Sequence, residues 1–230
     1  MSHELALKIS DKLAAFVEGV GKFGSIFIMP LVFVTMWDVI MRKLGGFQIW
    51  AIENFGSMFE STKIQEFEWH FHTALFTLVL GYGFINNRHV RVDLLREKLT
   101  FRTQVWIDFL GTLIFLIPYT VIVGWFALEY TYEAWVVNEI SASTVGLSHR
   151  WIIKSVLVIG LFVTTIAGIS VWLQTAVVLF GPKGLRFELM TLDWPEEADR
   201  KRRIKIDADD KAREDKQIKA DLRKSMKYDE

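Results

Sequence analysis

The chain has 230 residues and a formal net charge of zero, with 51% hydrophobic, 14% aromatic and 23% charged residues. Balanced charge argues against nucleic acid as a partner, and the absence of cysteine removes disulfides, thiolate catalysis and cysteine-ligated metals. A mean hydropathy of +0.25 beside so many charges requires apolar and charged residues to be segregated along the chain.

In residues 1–22, Leu5, Ile9, Leu13, Phe16, Val17 and Val20 recur at helical spacing opposite Lys8, Asp11, Lys12 and Glu18. This predicts a cytoplasmic amphipathic segment lying at the membrane interface, with an extension of the first span as the alternative. A first apolar span follows at about 23–41, kinked by Pro30. Asp38 lies inside it, four residues before Arg42 and on the same helical face, where the two can pair locally. The sharper alternative is an ion path, but one carboxylate is poor material for it.

Gly45-Gly46 is a helix break, and Phe47, Trp50, Ala51, Phe55, Met58 and Phe59 form an amphipathic stripe that predicts an outer interfacial helix over about 47–60. The second span, about 69–85, opens with Glu66, Glu68, Trp69, His70 and His72 at its start. Helical geometry sets His70 and His72 on opposite sides, so two Glu–His pairs four apart are expected rather than a zinc site. The third span, about 105–127, contains Pro118; the fourth, about 151–180, carries Gly160, Thr164 and Gly168 on one face, which lets another helix approach closely. Lys154 near its start can snorkel outward. Residues 181–230 form a charged tail with acid-before-base pairs such as Asp207 and Lys211 and no coherent apolar face.

The loop between spans two and three holds Arg88, Arg91, Arg96, Lys98 and Arg102, whereas the next loop holds Glu129, Glu133 and Glu139. By the positive-inside bias both termini are cytoplasmic. The expected fold is therefore an all-α integral membrane protein with four transmembrane helices plus interfacial amphipathic helices. His89, Arg91 and Asp93 are read as a polar hinge after the Asn86-Asn87 helix stop.

The run Gln65-Glu66-Phe67-Glu68-Trp69-His70, an apolar helix with Gly81-Tyr82-Gly83, and then His89-Val90-Arg91-Val92-Asp93 closely resembles the small membrane subunit (DctQ-like, or Q) of tripartite ATP-independent periplasmic (TRAP) transporters. The Asp38-Val39 and Arg42 ending of the first span matches too, and the resemblance covers roughly residues 23–180. It implies a noncatalytic scaffold in the bacterial inner membrane, without cofactor or metal. Its partners would be a large, roughly twelve-span permease (M) subunit, a periplasmic substrate-binding protein and membrane lipids, in sodium-coupled uptake of an organic acid. Two other readings stay open. One is a haem-bearing anchor of a respiratory complex, using His70 or His72 with His149. The other is an autonomous small channel or carrier lined by Asp38 and the basic loop.

Overall fold

The computed structural model describes residues 3–88, 96, 98–182 and 185–200, and among them every regular element is helical. Helix α1 spans His3–Ser25 and α2 spans Ile28–Lys43. Only Ile26 and Phe27 separate them, and there the backbone shifts to three-residue bonds, Ile26 N–H to Phe23 O and Phe27 N–H to Gly24 O, both 3.1 Å. Pro30 explains the shift, because it has no N–H for the Ile26 carbonyl and its ring crowds that same oxygen. Helix α3, Gly45–Phe55, runs into a 3-10 turn at Ser57–Phe59. The break expected at Gly45-Gly46 falls instead at Leu44, and the two glycines open α3. The turn between α3 and the 3-10 segment is made at Gly56, whose φ of 88° is the left-handed region that suits glycine.

Helix α4 is Ser61–Ile85 and α5 is Phe101–Gly111. A π-helical turn, Thr112–Leu116, joins α5 to α6, Ile117–Val136. The kink expected at Pro118 therefore takes the form of a widened turn just before it, since the carbonyl of Ile114 loses its usual donor there. Helix α7, Trp151–Phe180, is apolar on all sides and packs against α1, α4, α5 and α6. It is the central element of the bundle. A second unit starts at Leu192, and within it residues 195–200 are helical. The acid–base pairs of the tail and the hinge residues His89, Arg91 and Asp93 lie outside the described residues.

Among the described residues, three helical stretches are long and apolar enough to cross a membrane: His3–Lys43, Phe101–Val136 and Trp151–Phe180. The expected second span does form a helix, α4, but Lys63, Glu66 and Glu68 occupy its first turns and shorten its apolar part. By length and composition, three of the four expected spans are thus matched, and the second is not.

The distribution of side chains is the reverse of a water-soluble protein's. Large apolar residues such as Phe23, Met29, Phe33, Trp125, Phe126 and Phe162 face outward, while the interior is lined by small ones. On α1 the buried face is Ala6, Ser10, Val17, Gly21 and Gly24, and Leu5, Ile9 and Phe16 of the amphipathic stripe are exposed. A core of Val17, Ile85, Val163, Ala167 and Val171 joins α1, α4 and α7. Ser10 and Ser170, both fully buried, clasp α1 to α7: each hydroxyl reaches the other residue's carbonyl, at 2.9 and 2.8 Å, and the two oxygens are 3.0 Å apart.

Gly160 sets the spacing of α4 and α7, because a Cβ there would stand 2.6 Å from Thr77 Cβ and 2.6 Å from its carbonyl oxygen. Gly160→Val is expected to lower the stability of the detergent-solubilised protein by roughly 1–3 kcal/mol, the usual cost of overpacking. Gly83→Ala and Gly124→Ala, where an added Cβ meets nothing within 4 Å, are expected to leave the thermal midpoint unchanged or raise it.

Candidate functional site

Among the described residues, those singled out by sequence stand where helix ends meet loops or on the small-residue face of α7. Asp38, on the last turns of α2, is 3% exposed. It accepts hydrogen bonds from the Arg42 guanidinium and, at 2.7 Å, from the Ser61 hydroxyl. The expected local pair with Arg42 is present. Ser61 adds a second function that the i to i+4 pattern does not reveal: Asp38 anchors the N-terminal end of α4 to α2.

Glu66, one turn and a half further along α4, faces the loop that joins α6 to α7. Its carboxylate accepts from the Ser141 hydroxyl and from the backbone N–H of Leu147, while the Ser141 N–H donates to the Leu147 carbonyl at 3.1 Å. The 141–147 loop is therefore folded around one carboxylate. Gly146 permits it, because a Cβ at that position would lie 2.2 Å from Ser141 Cβ and 2.8 Å from the Glu66 carboxylate. The approach to this loop is set by Asn138, at φ 46°, which ends α6 as a left-handed cap. Its exit is set by His149, at φ 61°.

The expected Glu–His pairs do not form. The His70 ring nitrogen Nδ1 pairs with the backbone carbonyl of Glu66, one turn back, leaving the carboxylate for the loop. Glu68 and His72 are not joined by an ion pair or hydrogen bond. Among the described residues, no group of three or more His, Asp or Glu side chains gathers as metal ligands would. Trp69 is 74% exposed and points away from the bundle, the orientation of an interfacial anchor.

Lys154 differs from expectation in a related way. Instead of snorkelling outward it is buried on α7, bonded to the Glu139 carboxylate and seated 3.4 Å from the centre of the Tyr130 ring. Arg150 approaches the other Glu139 oxygen at 3.8 Å. A carboxylate and an aromatic face together compensate the ammonium for its lost water, which open solvent would otherwise have to supply.

The small-residue face of α7 meets partners within this chain. Gly160 lies against Thr77 of α4, and Gly168 lies against Leu116 and Ile117 at the π turn. The Thr164 hydroxyl returns to the Gly160 carbonyl at 2.8 Å. The motif extends to residues that the spacing on α7 does not disclose: Gly81 approaches the Val163 carbonyl, and Gly21 and Gly24 seat Tyr82 and Leu78 of α4.

A second polar cluster, at the opposite end of the bundle, escapes the sequence reading. Asp108 on α5 accepts from Arg96 Nη2 and from the Thr191 hydroxyl, both at 2.8 Å, and the same Nη2 donates to the Thr191 carbonyl at 3.2 Å. Gln174 of α7 holds the returning segment through the Met190 N–H, 3.1 Å, and the Glu188 carbonyl, 3.3 Å. An acid inside an expected apolar span is a signal of such a partner, and Asp108 carried it. In the sequence, Arg96 reads only as one of the positive charges that set topology.

Burial would push the Glu66 carboxyl pKa up, but the bonds from Leu147 and Ser141, with Arg150 and His70 nearby, outweigh it and hold the carboxyl below its ordinary value of 4.5. The folded state therefore binds fewer protons than the unfolded state in that window, so the contribution to stability is present above the ordinary value and lost as pH falls through the depressed one. The thermal midpoint of the solubilised protein is expected to fall as pH is lowered from about 5 through the depressed value, and Glu66→Gln to flatten that part of the profile. Equal slopes in parent and variant would show that the carboxylate does not hold the loop.

The family model for "Tripartite ATP-independent periplasmic transporters, DctQ component" matches residues 31–177. No curated protein and no solved structure matches the chain. The matched region runs from α2 almost to the end of α7 and contains Asp38, Glu66, Asp108 and the Gly160 contact. With most of its length covered, and with the helical bundle and the outward-facing apolar surface described above, the chain belongs to the DctQ component family of TRAP transporters, as a small membrane subunit.

Proposed function

We propose that this subunit is a scaffold rather than a carrier. On this reading it sits in the bacterial inner membrane as a four-span, both-ends-inside protein, and α4 is the second crossing. It positions a large permease subunit that takes up an organic acid with sodium, after delivery by a periplasmic binding protein.

The observation that carries the scaffold reading is the state of the buried polar side chains. Thr77, Thr120, Thr164 and Thr175 return their hydroxyls to carbonyls of their own helices, and Ser10 and Ser170 satisfy each other. Among the described residues, the Trp172 indole nitrogen is the single buried side-chain polar atom without a partner. A transport path needs a series of polar groups open to a passing ion or acid, typically on broken helices near the midplane. Here they are committed to backbone carbonyls of their own helix or, for Ser10 and Ser170, of a neighbouring one.

The function is tested by reconstituting the chain alone and together with its large permease and binding protein. The complete set is expected to accumulate substrate under an inward sodium gradient, and the lone chain to give no flux. Uptake or ion current by the lone chain would overturn the scaffold reading.

Topology has its own test. Ala142→Cys, exposed in the 141–147 loop, is expected to react with an impermeant thiol reagent on intact spheroplasts, whereas Ser225→Cys in the tail is expected to react only after lysis. The reverse pattern would invert the orientation.

The hinge assigned to His89, Arg91 and Asp93 is proposed on the sequence pattern. Arg91→Lys keeps the charge but loses the guanidinium fork, so it is expected to weaken co-purification with the permease while leaving membrane insertion intact. Parent-level complex yield in both Arg91→Lys and Arg91→Ala would remove the hinge.

A further inference from the structure

A groove of about 820 Å³ runs along the outside of α5, the π turn and the start of α6. From Gln104 to Tyr119 its lining spans about 22 Å at ~1.5 Å per helical residue, somewhat more than the ~15 Å depth of one hydrocarbon leaflet. Its volume lies within the ~300–1,000 Å³ range of sites that enclose small ligands. Most of its wall is apolar, formed by residues such as Leu99, Ile107, Phe115 and Tyr119, and its polar members Arg96, Gln104, Asp108 and Thr191 include the cluster at the loop end. Two features keep the groove open. The π turn distorts the wall at Thr112–Leu116, and Gly111 contributes no side chain at a position where a Cβ would meet nothing within 4 Å.

The loop end is electropositive. Asp108 is matched by Arg96, and Lys98 and Arg102, next to the lining residues Leu99 and Gln104 in sequence, add exposed cations. Arg96 Nη2 is occupied by Asp108 and the Thr191 carbonyl, while no hydrogen bond among the described residues uses its Nε or Nη1. A guanidinium with donors in reserve beside an apolar channel is suited to a phosphodiester whose acyl chain continues into that channel.

We propose that this groove is a binding site for an anionic glycerophospholipid, with an acyl chain along Gly111, Phe115 and Tyr119 and the phosphate held near Arg96, with Lys98 and Arg102 beside it. The inference rests on membrane insertion and is independent of the scaffold role. Anionic lipid is favoured over a zwitterionic one by the excess of basic side chains, and over a protein segment by the match between a long apolar channel and a single cationic end.

The test is native mass spectrometry of the full chain released from detergent micelles after addition of dioleoyl phosphatidylglycerol or dioleoyl phosphatidylcholine at equal concentration. Phosphatidylglycerol adducts are expected to exceed phosphatidylcholine adducts by about fivefold or more, the factor one basic side chain near an anionic surface supplies. Gly111→Leu, whose Cβ would meet nothing within 4 Å and whose branch would occupy the channel, is expected to lose both adducts at unchanged helix content and thermal midpoint. The double variant Lys98→Ala, Arg102→Ala is expected to bind both lipids but to lose most of the preference. Equal binding of the two lipids by the parent, or parent-level phosphatidylglycerol binding by Gly111→Leu, overturns the proposal. If Gly111→Leu abolishes co-purification of the large permease while lipid adducts persist, the occupant is a protein segment and the lipid site is wrong.

Discussion

Helices in a bilayer gain little from hiding apolar surface from one another, because lipid tails are as apolar as leucine; close packing and hydrogen bonds must hold them together. In this subunit that constraint is met at α7, above all where Gly160 lets the backbone of α4 come within van der Waals reach at Thr77. Gly81 returns the contact from the other side, approaching Val163 and Thr164. Once α4 and α7 are this close, α1 can lie across both, and Gly21 and Gly24 make room for Tyr82 and Leu78. The Ser10–Ser170 clasp then sets the register of α1 along α7. Each later contact depends on the first, since a bulkier residue at 160 would separate the two helices against which α1 is fitted.

Charged groups do a different job. They stand at the two ends of the bundle and convert helix ends and loops into defined structure. Asp38, Glu66 and Glu139 each accept from a segment distant from its own, namely the start of α4, the 141–147 loop and α7. Asp108 does the same for Arg96 and Thr191 at the opposite end. A carboxylate serves well here because it accepts several bonds at once and strengthens them by its charge. Removing a partner from such a buried group costs more than the pair contributes net, so these positions are poor candidates for neutral replacement.

Much of this was legible in the residues, and the limits have physical causes. Helical class, the span containing α7 and its small-residue face follow from composition and from period, which are local properties. The Asp38–Arg42 pair follows from spacing on one helix. Ser61 as the second partner of Asp38, the loop around Glu66 and the Asp108 cluster each require knowing which segments meet in space, and spacing along one helix cannot supply that. The Glu–His pairing failed for a related reason: an i to i+4 neighbour competes with any better donor that tertiary structure brings near, and for Glu66 the Ser141 hydroxyl and the Leu147 amide outcompeted the imidazole. Lys154 looks like a snorkelling cation in the sequence because Glu139 and Tyr130 are far from it along the chain. The α4 span was harder to read because its charged first turns, needed for the loop and for α2, shorten the apolar stretch that marks a crossing.

Helix α2 shows how the two kinds of interaction divide the work. Its only buried residues are Asp38 and Met41, and its large side chains, Met29, Phe33, Met36 and Val39 among them, are exposed. In water such a helix would have no reason to remain docked in one orientation, and in lipid its apolar faces are nearly equivalent. Packing therefore cannot select its rotation about its own axis. The Asp38 carboxylate can, because only one rotation presents it to the Ser61 hydroxyl at the start of α4, and every other rotation leaves a charged group facing hydrocarbon or its own helix. One buried acid thus determines which broad apolar face α2 turns outward, and with it the surface available to whatever lies beside it in the membrane.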